Sequence, residues 1–132
     1  MIVDNNSLSE WFGQYASAFV ACGRGENETA SLLAYYGVPL LLTTDHGFLA
    51  LTTEEQVLVA AQQQIDAMRE ADYARSQILD SGATILNSTT ALYHQTFSRH
   101  RSDGSEISRG TTYLVTDGPA GRRISVLAMH SP

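Results

Sequence analysis

The stretch YYGVPLLLTTDHGFLALTT, Tyr35–Thr53, reads as two β-strands, Leu40–Thr44 and Phe48–Thr52, folded back at Asp45-His46-Gly47. Gly47 is free to take the positive φ that a tight hairpin turn demands. The unbroken run Leu40-Leu41-Leu42 marks a strand covered on both faces, since a half-wet strand alternates. Asp45 and His46 are adjacent at the tip, where neighbouring side chains point apart into water. They read as turn residues, not as an acid–base or metal pair.

Helical patterns flank the hairpin. Upstream, Leu8, Trp11, Phe12, Tyr15 and Phe19 fall at helical spacing and give a first helix one wide apolar face. Ser7-Leu8-Ser9-Glu10 predicts a capping box at its start, and Gly23 after Cys22 predicts a left-handed cap at its end. After the polar turn Arg24–Asn27, a short second helix carries Leu32, Leu33 and Tyr36 and stops at Gly37. Downstream, Thr52-Thr53-Glu54-Glu55-Gln56 holds two overlapping capping boxes. They open a third helix, to about Asp72, whose buried face is Val57, Ala61, Ile65 and Met68. Beyond it the texture is that of strands: Ala74–Asn87 with a bend at Asp80-Ser81-Gly82, Thr90–Arg101, Ile107–Thr116 and Arg122–Met129. Their short turn-rich connectors predict an antiparallel meander.

The chain has 132 residues, enough for one domain with its own core, and residues 1–132 read as a single domain. With 8 basic against 14 acidic side chains the net charge is −6, which argues against a nucleic-acid surface. Arg99, His100 and Arg101 beside Asp103-Gly104 read as a solvated strand end. Cys22 is the lone cysteine, so no disulfide can form within the chain, and a buried thiol is expected. MIVDNNSLSEWF lacks the basic and apolar regions of a secretory signal. No apolar run approaches the roughly 20 residues of a membrane span, and a cytoplasmic location is the expectation. His46, His94, His100 and His130 lack i, i+4 spacing. His94 and His100 lie ~20 Å apart along a strand, too far to share an ion. With no phosphate-binding glycine loop and no nucleophile elbow, neither metal nor cofactor is expected.

The order helix, helix, hairpin, helix, four-strand meander resembles the nuclear transport factor 2-like superfamily, which includes the SnoaL-like proteins and ketosteroid isomerases. Supporting marks are the aromatic first helix with Tyr15, the turn Gly25-Glu26, Leu32-Leu33-Ala34-Tyr35-Tyr36, and the closing segments Gly110–Val115 and Arg123–Met129. The resemblance covers nearly the whole chain. It implies an α+β, cystatin-like cone: three N-terminal helices and a β-hairpin packed against a strongly curved antiparallel sheet, with a conical cavity. It also implies a homodimer through the outer sheet face, where alternation places Leu92, His94, Thr96, Thr112 and Leu114.

Alternation puts Tyr93, Gln95 and Phe97 on the inner face. With Tyr15, Phe19, Tyr36 and Tyr113 they are the expected ligand pocket, suited to a flat, mostly apolar molecule with one or two polar atoms. Tyr15 sits where similar isomerases place an oxyanion-binding tyrosine. Their carboxylate base would fall at Thr44, with Asp45 one residue off, and a one-residue slip reverses the face served. Their second acid is replaced by Tyr113. Arg109 and Asp80 supply only pieces of an epoxide-hydrolase-like Asp-Arg-Asp group. His94 falls outside the cavity. Three functions fit: binding of an apolar metabolite, an isomerase-, cyclase- or hydrolase-like enzyme using pocket tyrosines and one acid or base, and a dimeric interaction protein. The enzyme demands a cavity of roughly 300 Å³ or more holding a titratable group with a shifted pKa. The incomplete acid–base set leaves catalysis undemonstrated.

Overall fold

The computed structural model describes residues 5–132. Helix α1 spans Asn5–Gly23 and a 3-10 helix spans Thr29–Ala34. Strands β1 (Tyr36–Thr44) and β2 (Gly47–Leu51) lead into helix α2 (Glu54–Glu70). Strands β3 (Tyr73–Asn87), β4 (Thr90–Arg101), β5 (Glu106–Gly118) and β6 (Gly121–His130) complete the chain. The expected second helix is thus a single 3-10 segment, which ends before Tyr36 rather than including it. All six strands form one curved sheet in the order β2-β1-β6-β5-β4-β3, and α1 and α2 contribute to one core with its inner face.

The hairpin closes as its sequence predicts: Thr44 pairs with Gly47, whose φ is +132°, leaving Asp45-His46 as the exposed turn. The four later strands form the predicted antiparallel meander, and the hairpin joins it through a pairing of the other sense. β1 pairs in parallel with β6, with Leu41 opposite Val126, so the hairpin extends the sheet as its edge. Pro39, which has no N–H to donate, lies where the register between β1 and β6 shifts. Leu40 is buried while Leu41 and Leu42 are half-buried, so the leucine run is not sealed on both faces.

Helix ends follow local chemistry, at α1 in positions shifted from those the sequence predicts and at α2 in one of the two predicted capping boxes. α1 closes with a Schellman motif: the Gly25 amide donates to the Cys22 carbonyl at 3.0 Å and the Glu26 amide to Ala21 at 2.8 Å. The left-handed residue is Gly25, at φ +78°, not Gly23. Gly23 is instead buried where a Cβ would lie 2.8 Å from Met68 Cε. Ser7 lies inside the first turn of α1 and accepts from Arg122 Nη1 at 3.1 Å, because the helix begins upstream of the anticipated box. At α2, Thr53 is the N-cap and its hydroxyl accepts from the Gln56 amide at 3.2 Å, while Gln56 Oε1 accepts from the Thr52 amide at 2.7 Å.

Val57, Ala61, Ile65 and Met68 are the buried face of α2. Leu8 and Phe12 of α1 are fully buried, and the Phe12 ring stacks on Tyr93 at 3.9 Å. On β4, Ala91, Tyr93, Gln95 and Phe97 are buried while Leu92 and His94 are exposed, as the alternation requires. β3 carries an extra residue, Leu79, between the pairs Ile78–Phe97 and Asp80–Thr96. This bulge falls one residue before the predicted bend and increases local twist.

Candidate functional site

Inward-facing side chains of the curved sheet leave a cavity of about 130 Å³ between the sheet, α1 and α2. β1 supplies Leu40 and Leu42, α2 supplies Val57, Ala60 and Ala61, and β6 supplies Leu127 and Met129. These residues make the wall mostly apolar. A wider and more open depression of about 440 Å³ lies between the start of β1 and the β5–β6 turn. Glycine, proline and small side chains dominate it, and no aromatic ring lines it. Thr116, Arg123 and Ser125 are its polar members, but it lacks the aromatic wall of the cavity between sheet and helices, so that cavity is the candidate.

Tyr15, Phe19, Tyr36, Gln95, Phe97 and Tyr113 all line that cavity. Tyr93 is the exception among the anticipated pocket residues: its ring is committed to the stack on Phe12 and lies outside the wall. The hydroxyls of Tyr15 and Tyr36 share a hydrogen bond of 2.8 Å. Thr111 Oγ1 donates to the Tyr113 hydroxyl at 3.1 Å. Burial pushes the Tyr15 hydroxyl well above the ordinary tyrosine range, and the nearby Tyr36 and Tyr113 hydroxyls push it further. Burial likewise raises Tyr36, against the lowering effect of its bond to Tyr15. Tyr113 is raised by burial too, although Thr111 and the charge of Arg99 pull it back. These hydroxyls stay protonated at neutral pH and act as hydrogen-bond donors, not as bases.

Arg99 was not anticipated here. Its guanidinium carbon lies 5.3 Å from the Phe97 ring centroid and 5.9 Å from that of Phe19, within cation–π range, and the residue lines the cavity. Burial lowers its pKa, and the neighbouring charge of Arg109 adds to that. Arg109, an exposed residue paired with Phe97 in the β4–β5 register, also reaches the wall. The signal was present: Arg99 shares the parity of Tyr93, Gln95 and Phe97 on β4. The cluster Arg99-His100-Arg101 obscured it, and only Arg99 of the three reaches the cavity.

The wall contains no aspartate, glutamate or histidine among the described residues. Thr44 and Asp45 are exposed at the hairpin tip and do not line it. Asp80 and His94 approach each other at 3.7 Å on exposed side chains, also away from the cavity. His100 Nε2 lies 3.0 Å from Ser98 Oγ and 3.4 Å from Glu106. His130 Nε2 lies 2.9 Å from Thr112 Oγ1. No group of three or more His, Cys, Asp or Glu side chains is arranged to hold a metal among the described residues, and no described helix is long and apolar enough to cross a membrane.

Comparison with known proteins identifies the setting of this cavity. The family model described as "NTF2-like protein (DUF6841)" matches residues 5–132. No curated protein matches the sequence. Among solved structures, a domain of unknown function with a cystatin-like fold from Nostoc punctiforme is 16% identical. The match covers 98% of this chain and 80% of that one, with a TM-score of 0.73. A putative calcium/calmodulin-dependent protein kinase II association domain from Xanthomonas campestris is 14% identical, covers 98% and 89%, and scores 0.71. The association domain of C. elegans CaMKII is 7% identical, covers 96% and 94%, and scores 0.69. At these identities the likeness is one of fold, and that fold is the α+β cystatin-like cone.

Proposed function

We propose a binding function for this chain, which belongs to the NTF2-like family DUF6841: residues 1–132 act as a single SnoaL-like domain that holds a small, largely apolar molecule in its cone. One observation carries this reading. The cavity is walled by aromatic and aliphatic side chains with hydroxyl and guanidinium donors, and no carboxylate or imidazole lines it among the described residues. Proton abstraction needs a base within hydrogen-bond reach of the substrate, and the buried tyrosines are held protonated. The volume of about 130 Å³ is also below the roughly 300 Å³ expected of an enzyme of this type.

An apolar cavity of about 150 Å³ accommodates benzene, so single-ring ligands are the probes of choice. In a thermal-shift series, phenol and benzyl alcohol are expected to raise the melting temperature saturably. At tenfold excess over Kd the gain is about 1.4 kcal/mol, which amounts to a few degrees. Terpene- and steroid-sized molecules are expected to give nothing. A flat response to every single-ring compound would remove the proposal.

A second reading, compatible with the first, is a homodimer through the outer sheet face. Leu92 lies opposite Leu114, Leu114 opposite Val126, and Val126 opposite Leu41. Alternation places this apolar row outward across four strands, and Leu92 is exposed. The likeness to two structures named as association domains supports assembly.

A further inference from the structure

We infer that the molecule held in this cavity is a small monocarboxylate, with an apolar body of about one ring against Phe19 and Phe97 and its carboxylate on the guanidinium of Arg99. This rests on the binding reading above and adds to it the charge and size of the ligand.

The argument starts from an imbalance. The chain carries 14 acidic against 8 basic side chains, yet its cavity is lined by Arg99 and Arg109 and by no acidic residue among those described. Among the described residues no carboxylate forms an ion pair with either arginine. Arg99 is half-buried, and its cationic head meets ring faces instead of an acid. Cation–π contact recovers only part of what a buried charge loses on leaving water. An anion delivered from solution would complete the compensation.

Geometry selects the kind of anion. A guanidinium presents a planar fork of donors that matches the two oxygens of a carboxylate. A phosphate ester brings a third oxygen and further charge, while Arg109 is exposed and so leaves Arg99 as the inner cation. Gln95, Thr111 and Tyr113 line the same cavity and supply further polar groups. The volume limits the body to one ring or a comparably short chain.

Isothermal titration of the full chain with benzoate, benzyl alcohol, benzylamine and phenyl phosphate tests this. Benzoate is expected to bind about tenfold or more tighter than benzyl alcohol, because a charge-assisted hydrogen bond replaces a neutral one, and benzylamine not at all. Arg99→Gln should abolish the preference for benzoate over benzyl alcohol, bringing the two affinities together. Arg99→Lys should retain part of the preference, and Arg109→Gln should cost less than Arg99→Gln. If Arg99→Gln does not fold, the ranking on the unaltered protein and on Arg99→Lys decides. Benzyl alcohol binding as tightly as benzoate would overturn the carboxylate inference and leave the apolar pocket standing. Binding of none of the four would remove both. Benzoate binding unaltered in Arg99→Gln would dismiss Arg99 as its partner, and tighter binding of phenyl phosphate would overturn the choice of head group.

Discussion

Asp117 and Arg122 form the most enclosed ion pair described in the chain, Arg122 Nε donating to Asp117 Oδ1 at 3.0 Å with both side chains 14% exposed. The same arginine reaches Ser7 in α1, tying the β5–β6 turn to the first helix. Burial alone would raise the Asp117 carboxyl, but lowering contributions led by the hydrogen bond from Arg122 outweigh it and hold the group below its ordinary value. A depressed folded-state pKa contributes stability that is present above the unfolded value, near 3.9, and is lost as pH falls through the folded value. Asp117→Asn should therefore cost about 2 kcal/mol at pH 7, the worth of a hydrogen bond to a charged group. Urea titrations should show the gap between variant and parent closing as pH drops below about 4. Sequence reading could not find this pair with α1, since Ser7 and Arg122 are 115 residues apart. The capping-box pattern assigned Ser7 a local partner instead. Arg99 failed for another reason: its alternation on β4 was legible, but a cluster of like charges beside a turn was read as a solvated end.

Helices and strands were more legible than their ends. The faces of α1 and α2 follow from spacing alone, because a buried stripe repeats along each helix. Termini depend on single residues, and glycine identity does not reveal which of two nearby glycines is left-handed. Gly25 supplies the positive φ, and a Cβ there would meet only Arg69 at an ordinary 3.8 Å. Gly25→Ala should therefore destabilise by about 1–2 kcal/mol through backbone conformation alone, seen as a lower urea midpoint with an unchanged slope. Phe97 and Tyr113 of the cavity were legible because they alternate with outward residues on β4 and β5, and Tyr15 and Phe19 because they fall at helical spacing on α1. Tyr93 obeys the same alternation, yet it is spent on Phe12. Parity tells which face a side chain serves, not how deep along that face the cavity reaches.

For the molecule entire, the outer face makes a prediction. If the row Leu92, Leu114, Val126 and Leu41 forms the contact between copies, sedimentation at micromolar concentration should give a dimer. Leu114→Glu should then yield a folded monomer, because an unpaired charge buried at an interface core is costly. A monomer in the unaltered protein would dispose of the contact. Helix count and the succession of antiparallel ribbons could be read along the chain, since each of those pairings joins neighbours in sequence. The parallel seam between β1 and β6 could not, because nothing local in Leu41 names Val126 as its partner. That seam has a bearing on how the protein comes into being at the ribosome. The first ribbon to emerge can bond to the rest of the sheet only through the last, so it must wait for nearly the whole chain to be translated. Closure between such distant segments is intrinsically slow, and until then the Leu40–Leu42 edge stands open to unwanted pairing with other nascent chains.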